Sequence, residues 1–511
     1  FLLHMGLIRR CFGPFLAGSL GFGCLGWRTV VSAESKRRVS SPNLPDPEPT
    51  ISYWMDDADM HGVGLARHEC DSNPPAYTDI LIIGGGISGV SVLYELASLG
   101  LGNDVTLVDA RQHLACGATG RNGGIVQAKA FYDIFHLVPK YGIKTALQLI
   151  RFEAANRSAL RRFVSRIENS EAYINQPNPC DYYRDLDAIM VFDNDSDFQK
   201  EAGIFRFPPL KYVARAFGID ILTRNDCQTL FPKGWARGAI RAPKAADFVS
   251  AARITRIMAK EASEKGAKVC LSTAVLSVHK SDKDFEIHTS KGLVRAQKVV
   301  YATNAWTSEL LPSLTPLIRP VINHVTSLHC ADGSQEITGE GLRAFGLYPG
   351  YNYWVTKPNG RVILGGFRQN TEGKGVGILE DAIINREMEA ACDVFADNKL
   401  GFKYKNDDRK WTGILGFSRD NLPIVGRLPN ENQAWICAGF SGHGLPVAPL
   451  SGASIARDIA GDVVGQRRSK LDGDPLSSDW SIEHPPAAFK PCEKRFLNRK
   501  RSWESAGDKF N

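Results

Sequence analysis

The chain has 511 residues, with 62 lysines and arginines against 55 aspartates and glutamates, and a formal net charge of +7. This length is too great for one simple core and indicates two interleaved or tandem domains, while the modest charge, with no basic face carrying aromatics, argues against nucleic acid as a partner. The 11 cysteines are scattered and form no CxxC pair, which favours reduced thiols in a large intracellular enzyme over a disulfide framework or a zinc site.

The N-terminal region is predicted to be an extension followed by a proline-rich linker. Two arginines precede an apolar, glycine-rich run over residues 11–27, which is too short for a membrane span. The run could be a secretory signal with a cleavage site at residues 31–33, a mitochondrial transit peptide, or a disordered extension. We take the cytoplasm as the default location, because residues 508–511 are not a peroxisomal address.

A glycine-rich turn follows the first buried strand, which the uninterrupted apolar residues 80–83 predict. Gly84, Gly86 and Gly89 have the G-x-G-x-x-G spacing, which allows a tight turn, a close approach to a pyrophosphate, and close helix–strand packing. Asp109 ends the next predicted strand, 20 residues beyond Gly89, where this fold places a carboxylate on the adenosine ribose. Together these features predict a dinucleotide site with its phosphates at a helix N-terminus.

A second glycine-rich loop, GATGRNGG, spans residues 117–124. A simple NAD enzyme would normally continue here into another strand–helix unit, whereas this loop has the composition to lie along a second part of an extended cofactor. An ordinary turn is the alternative. Over residues 131–246 the strand–helix alternation is lost, apart from a helix over 143–167, and this predicts an inserted region that covers the cofactor.

The dinucleotide-binding pattern then resumes with a helix over residues 250–265 and a buried strand over 298–303. A second insertion, over 320–410, contains a hairpin whose strands, 352–356 and 361–365, are joined by a Pro-Asn-Gly turn. After it come a buried strand, the tight turn FSGHG, an amphipathic helix over residues 446–461 and a charged tail.

These patterns predict an α/β protein, α+β overall, in which a Rossmann-like cofactor-binding domain with a parallel sheet is interleaved with a substrate domain built on an antiparallel sheet. We assign residues 1–50 to the N-terminal extension, 51–130 to a lead-in and the first part of the cofactor-binding domain, 131–246 to an inserted cap, 247–319 to the second part, 320–410 to the antiparallel sheet, 411–465 to the third part and 466–511 to the tail.

Four motifs occur in a fixed order: GGGISG with Asp109, GATGRNGG, KVVYATNAW, and the pair SRDNLPIVG and CAGFSGHG. They resemble the FAD-dependent oxidoreductases of the D-amino-acid oxidase superfamily, which includes glycine oxidase, monomeric sarcosine oxidase and γ-glutamylputrescine oxidase. The likeness covers about residues 79–462, and the SYW lead-in with the GRNGG loop looks most like uncharacterised fungal members.

The resemblance implies FAD as the cofactor, with its ADP half near the first glycine turn and its flavin near the FSGHG turn. The implied cofactor-binding residues are Gly84, Gly86, Ile87, Ser88, Gly89, Asp109, Ala110, Arg111, Thr119, Arg121, Asn122, Gly123, Gly124, Val275, Thr303, Asn304, Trp306, Gly439, Ser441, Gly442, Gly444 and Leu445.

This sequence departs from its relatives at three positions. Asn304 stands where glycine is usual. Some relatives tether FAD through a cysteine at the position that Gly413 occupies here, so the resemblance implies a non-covalent FAD. Sarcosine oxidases carry a lysine where this chain has Pro446, which argues against an N-methyl amino acid as substrate.

The implied catalytic residues are His443, which occupies the position of an active-site histidine in sarcosine oxidases, and Tyr353 and Arg368, which lie on the hairpin region that covers the flavin in relatives. Arg121 is a further candidate for orienting the substrate. Each has a structural alternative, since a histidine in a tight turn and an arginine beside a sheet commonly bond to the protein itself.

The resemblance implies an oxidoreductase that oxidises the C–N bond of an amino acid or amine by hydride transfer to flavin N5. The imine product then hydrolyses, and O2 is the expected acceptor, giving H2O2. Two alternatives stay open: a dehydrogenase that passes electrons to a quinone or flavoprotein, and a non-catalytic FAD-binding assembly factor. No metal site is readable from the sequence, and the expected partner is a small-molecule substrate.

Overall fold

The computed structural model describes residues 43–56, 73–127, 134–206, 208, 210–216, 218–329, 342–350, 352–402, 408–466, 484–492 and 495. Within them the chain forms eleven α-helices and seventeen strands. The helices are α1 (Tyr53–Asp56), α2 (Ile87–Leu96), α3 (Ile134–Tyr141), α4 (Ile143–Glu168), α5 (Asp195–Arg206), α6 (Leu210–Ala216), α7 (Arg224–Gln228), α8 (Ala251–Glu264), α9 (Thr307–Leu310), α10 (Arg386–Phe395) and α11 (Ala448–Gln466). The strands are β1 (Tyr77–Ile83), β2 (Val105–Val108), β3 (Ile125–Gln127), β4 (Tyr183–Phe192), β5 (Asp220–Leu222), β6 (Gly238–Phe248), β7 (Lys268–Cys270), β8 (Val275–Lys280), β9 (Phe285–Thr289), β10 (Gly292–Tyr301), β11 (Ile318–His329), β12 (Arg343–Leu347), β13 (Asn352–Thr356), β14 (Arg361–Gly366), β15 (Arg409–Ser418), β16 (Ile424–Arg427) and β17 (Ala434–Ala438).

The first sheet has eight strands in the order β16-β17-β10-β1-β2-β7, with β9 paired to β10 and β8 to β9. Five of them, β1, β2, β7, β10 and β17, run parallel. Their sequences contain short apolar runs because these parts of the strands are buried on both faces of the sheet. The carboxyl ends of β1, β2 and β10 lie side by side, as the backbone bonds from Gly84 N–H to Val108 O and from Ala302 N–H to Ile83 O show. This arrangement confirms the predicted Rossmann-like domain.

The second sheet has nine strands in the order β15-β11-β14-β13-β12-β4-β6-β3, with β5 paired to β6. All its pairs are antiparallel except β4 with β12. The predicted hairpin is confirmed as β13 and β14. Because β4 and β6 come from the first insertion and β11 to β14 from the second, the two insertions build one common sheet.

Two predicted domain boundaries differ from the observed strand pairing. β15 continues in register with β11 as far as Ser418, so the change of sheet comes after Ser418 and the boundary at residue 410 is too early. β3 pairs with β6 in the second sheet, although residues up to 130 were predicted in the cofactor-binding part. Strand pairing between distant segments decides both boundaries, and local composition does not report it.

Helix α2 is entirely buried and lies between α8 and α11. A Cβ added at Gly452 of α11 would come within 2.5 Å of the Ser88 carbonyl oxygen, so this glycine permits the close packing of α11 on α2. Helix α8 begins where the sequence predicts, because the Ser250 hydroxyl accepts a bond from Arg253 N–H. Helix α11 begins at Ala448, two residues after the predicted start, and ends at Gln466, five residues beyond the predicted end.

Parts of the predicted N-terminal extension and C-terminal tail pack onto the two sheets. Thr50 N–H donates to Asp381 O at 2.8 Å, and Ser52 Oγ donates to Gly120 O of the second glycine loop at 2.6 Å. Phe489 is 1% exposed and stacks edge-on against Phe152, while Arg495 pairs with Asp420 at 2.8 Å. Apolar and ionic contacts thus hold segments whose composition predicted only a linker and a solvated tail.

The predicted targeting signals lie outside the described residues. None of the helices in the described ranges has the length and apolar character needed to cross a bilayer. The described cysteines are free thiols, and all but Cys492 are buried.

Candidate active site

A cavity of about 470 Å³ lies between the carboxyl edge of the first sheet and one face of the second. It is bordered by 19 of the 22 predicted cofactor residues and by all three predicted catalytic residues, His443, Tyr353 and Arg368. The three remaining predicted residues, Gly89, Gly124 and Gly439, are all described and do not border the cavity. The structure thus brings together groups from four distant motifs.

The first glycine turn has the geometry that its spacing predicts. Gly84 has a φ of +116°, and a Cβ there would come within 2.7 Å of Ala302 O. A Cβ at Gly89 would clash with Gly84 O, so Gly89 allows the helix to start directly against the strand. Gly86 is the N-cap of α2 and carries no side-chain cap, and Ile87 N–H donates to Thr119 Oγ1 at 3.0 Å. Gly84, Gly86, Ile87 and Ser88 all border the cavity, so the turn presents its backbone there, as a phosphate site requires.

Asp109 lies beside this turn with its carboxylate partly buried. Its Oδ2 accepts a bond from Gly85 N–H at 2.6 Å and its Oδ1 from Arg111 N–H at 2.8 Å. Burial raises the pKa of Asp109 above its ordinary value, and the two N–H donors oppose that change. Since the carboxylate borders the cavity, further donors such as ribose hydroxyls would stabilise its charged form.

The second glycine loop is braced by its own side chain and packs under Tyr353. Asn122 Nδ2 donates to Thr119 O at 2.7 Å, and Asn122 Oδ1 accepts from Gly124 N–H at 2.7 Å. A Cβ at Gly123 would clash with the Tyr353 ring. The loop thus forms a fixed part of the cavity wall, which favours the cofactor-loop interpretation over an ordinary turn.

Arg111 and Arg121 border the cavity, but their guanidinium groups bond to the protein. Arg111 holds Asp381 with two bonds of 2.8 and 2.9 Å. Arg121 donates to the carbonyl oxygens of Cys116, Thr412 and Thr50 and to the Thr50 hydroxyl, and burial lowers its pKa to about 10. The suggestion that Arg121 orients the substrate is therefore corrected: its donors are used to hold the fold together.

Asn304, which replaces the usual glycine, joins β10 to the FSGHG turn. Its φ is +45°, a left-handed conformation that asparagine tolerates better than most residues. Its Oδ1 accepts bonds from Gly439 N–H at 3.0 Å and Phe440 N–H at 3.5 Å. The asparagine thus keeps the conformation that glycine would adopt and adds a link between two motifs 135 residues apart.

The FSGHG turn places His443 at the cavity, where it meets a carboxylate that sequence reasoning missed. His443 Nε2 lies 2.9 Å from Glu153 Oε1, and the Glu153 side chain is only 6% exposed. Glu153 also borders the cavity. Its signal in the sequence is an acidic residue on the buried face of α4, among apolar neighbours such as Leu149 and Phe152.

Asn156, one turn further along α4, fixes the other end of the same turn. Its Nδ2 donates to Leu445 O at 3.1 Å, and its Oδ1 accepts from Leu450 N–H at 2.9 Å. Buried polar groups persist in a helix when they satisfy backbone groups that would otherwise lack partners. Helix α4 thus positions both His443 and the start of α11.

Tyr353 and Arg368 approach from the second sheet. The Tyr353 ring lies against Gly123 and Gly365, and its hydroxyl lies over Gly365. Burial raises the pKa of Tyr353 above its ordinary value, so it is a neutral hydroxyl at physiological pH. The Arg368 guanidinium lies 4.6 Å above the centre of the Phe417 ring. Met190 and Phe345 add apolar surface to this wall.

The residues present fit a dinucleotide with an extended second half. The cavity joins a phosphate-type turn and a buried ribose-type carboxylate at one end to the FSGHG turn at the other, and both glycine loops border it. Cys437 is fully buried with its pKa raised by burial to about 12, so this thiol is a core residue. Within the described ranges, no group of three or more metal-ligating side chains is placed to hold a metal ion.

The family profile described as "FAD dependent oxidoreductase" matches residues 79–457. Glycine oxidase from Bacillus licheniformis is 24% identical over 431 residues, covering 82% of this chain and 99% of that protein. Gamma-glutamylputrescine oxidoreductase from Escherichia coli (strain K12) is 25% identical over 395 residues, covering 75% of this chain and 84% of that protein. The solved structure of glycine oxidase from Bacillus cereus ATCC 14579 has a TM-score of 0.59 at 18% identity, covering 79% of this chain and 98% of that one.

Proposed function

Because the chain belongs to the FAD dependent oxidoreductase family, we propose that it oxidises the C–N bond of an amine or amino acid. The observation that carries this proposal is that one and the same cavity borders the dinucleotide turn, His443, Tyr353 and Arg368. Bound FAD supplies the hydride acceptor; the substrate loses a hydride and a proton, and its imine then takes up water and releases ammonia or an amine.

The first sheet and the two glycine loops hold the cofactor in this proposal. The turn at Gly84 and Gly86 binds the phosphates through its backbone, and Asp109 accepts bonds from the ribose hydroxyls. The N-terminal end of helix α11, which follows the FSGHG turn, favours negative charge at the flavin end. The FAD is non-covalent, since Gly413 has no side chain to form a bond and the Cys437 thiol does not border the cavity.

The second sheet holds the substrate. The Arg368 guanidinium is suited to bind a carboxylate. The neutral Tyr353 hydroxyl can donate to or accept from the substrate, and the position of its ring is set by Gly123 and Gly365. Met190 and Phe345 exclude water from the same wall, which strengthens the polar contacts made there.

The pair of His443 and Glu153 receives the proton of the substrate ammonium group. Hydride loss requires a neutral amine, so a group near the reacting nitrogen has to take up a proton. The Glu153 carboxylate, buried and bonded to His443 Nε2, stabilises the imidazolium that this step would form. Glu153 acts here as a positioning residue for His443.

The experiment that tests the function is an anaerobic reduction screen. The purified yellow protein is mixed without oxygen with a panel of amines and amino acids, including glycine, iminodiacids, proline and diamines, and flavin bleaching at about 450 nm is recorded. We expect at least one amine to bleach the flavin. If no compound of the panel bleaches the flavin although dithionite does, the enzymatic proposal would be rejected in favour of a non-catalytic FAD protein.

Aeration of the bleached sample separates the two acceptor classes. We propose O2 as the acceptor, so the yellow colour should return within seconds and one H2O2 should form per flavin. Slow return without peroxide, combined with fast reoxidation by a soluble quinone, would instead assign a dehydrogenase.

A further inference from the structure

Residues 43–56 lie before the start of the family match at residue 79, yet they contact the cavity and its second glycine loop. We name them the N-terminal strap. We propose that this strap is a built part of the FAD site: its first residues cover the adenosine end of the cavity, and its later residues hold the second glycine loop in place. The inference rests on the FAD of the proposed function and is independent of the substrate.

The first part of the strap borders the cavity next to Asp109. Asn43, Leu44 and Pro45 all line it, together with Val275. Arg111 Nε donates to Asp46 O at 2.9 Å, which fixes this part of the strap beside the residue that follows Asp109 and Ala110. Leu44 is 44% exposed, and its apolar side chain at the cavity edge is suited to pack against a purine ring.

The second part of the strap bonds to the glycine loop at alternate residues. Thr50 is held by Arg121, which belongs to the loop, and Ser52 Oγ donates to Gly120 O at 2.6 Å. Trp54 Nε1 donates to Asn122 O at 2.7 Å. Thr50 and Ser52 lie before helix α1 and Trp54 lies within it, and all three side chains bond to residues 120–122 of the loop.

The strap is buried where it makes these bonds. Ser52 is 0% exposed and Trp54 is 3% exposed, so both hydrogen bonds are shielded from water and their loss would leave buried carbonyl oxygens unsatisfied. The Thr50 hydroxyl also accepts a hydrogen bond from Thr412 N–H of β15 and donates one to Asp381 O. The strap therefore joins the second glycine loop to the second sheet, and weakening it should loosen the loop more than the rest of the fold.

The test measures FAD binding in the full chain without any turnover. Ser52→Ala and Trp54→Phe each remove one bond to the loop, and Trp235→Phe is the matched control, because Trp235 Nε1 makes the same type of bond to Lys399 O at 2.9 Å away from the cavity. FAD is removed, and the apoprotein is titrated with FAD by quenching of flavin fluorescence. We expect each strap variant to raise the Kd for FAD about fivefold, and the double variant roughly twentyfold. The control should stay within a factor of two.

The proposal is overturned if the strap variants bind FAD as tightly as the control, or if the control weakens binding equally. A second measurement addresses the adenosine end. ADP contains that half of the cofactor and no flavin, so Leu44→Ser should weaken ADP and FAD by the same factor, about threefold. An unchanged Kd for ADP would overturn the placement of Leu44. Failure to find a substrate would leave both measurements valid, because neither depends on catalysis.

Discussion

The two walls of the cavity are built in different ways. The cofactor wall, formed by the first glycine turn, Asp109 and the second glycine loop, consists largely of backbone with closely spaced residues. The substrate wall consists of side chains: Tyr353 and Arg368 come from the β13–β14 hairpin region, and Met190 of β4 and Phe345 of β12 join them. A backbone surface needs particular glycines at particular spacings, whereas a side-chain surface needs only that suitable residues meet in space. The first kind of wall can therefore be predicted from residue spacing, whereas Tyr353 and Arg368 of the second wall were predicted only through the family resemblance.

The largest effect is expected on the cofactor wall, from Gly89→Ala. The added Cβ would clash with the Gly84 carbonyl oxygen, so either the turn or the start of α2 must move. We expect protein without flavin and a free energy of unfolding lowered by about 3 kcal/mol or more, measured by flavin content and urea denaturation. Gly203→Ala in α5 is the control, because a Cβ there meets no atom within 4 Å. Retention of FAD and stability by Gly89→Ala would contradict the turn geometry.

Glu153→Gln tests the carboxylate that bonds to His443 at the edge of the cavity. The amide keeps the shape and can still bond to His443, but it cannot stabilise an imidazolium, so the turnover number should fall roughly a hundredfold with FAD content unchanged. Glu168→Gln, at the exposed end of the same helix, is the matched control and should be neutral. Full activity of Glu153→Gln would show that the pair has only a structural role.

The back of the substrate wall should make stability depend on pH. His324 is 1% exposed, and burial lowers its pKa to about 4, with Glu389, Asp393 and Lys410 nearby. In the unfolded chain the pKa of a histidine is about 6.5, so between pH 6.5 and 4 the unfolded chain binds more protons than the folded chain. The free energy of unfolding is therefore highest above pH 6.5. It falls by about 3 kcal/mol as the pH drops towards 4. Urea denaturation across this range should therefore give a shallower pH dependence for His324→Leu. The exposed His279→Leu is the control, and an identical slope in both variants would refute the assignment.

Tyr353→Phe isolates the substrate wall. The ring stays between Gly123 and Gly365, so FAD binding should be unchanged, while loss of the hydroxyl should lower kcat/KM about tenfold. Steady-state kinetics with the substrate found in the anaerobic screen would measure this. A raised Kd for FAD with unchanged kcat/KM would instead assign Tyr353 to cofactor binding.

We expect Cys437→Ala to have no effect on how FAD is attached, which is the smallest effect among these predictions. Because the thiol is buried and does not border the cavity, denaturation followed by filtration should release all flavin from both the wild type and the variant. Flavin that stays with the denatured wild-type protein would show a covalent bond.

The sequence alone determined the parallel sheet, its glycine turn, Asp109 and the family, because each depends on backbone geometry or burial that repeats over a few residues. Local patterns also gave the hairpin of β13 and β14 and the helix that carries Glu153. The pairing of Glu153 with His443, 290 positions apart, the use of Arg121 inside the fold, and the extension of β15 to Ser418 were decided by the tertiary structure. Each of these depends on which distant segments meet, and neither spacing nor composition records that. The same holds for the strap, whose alternate residues reach the glycine loop only once both sheets are in place.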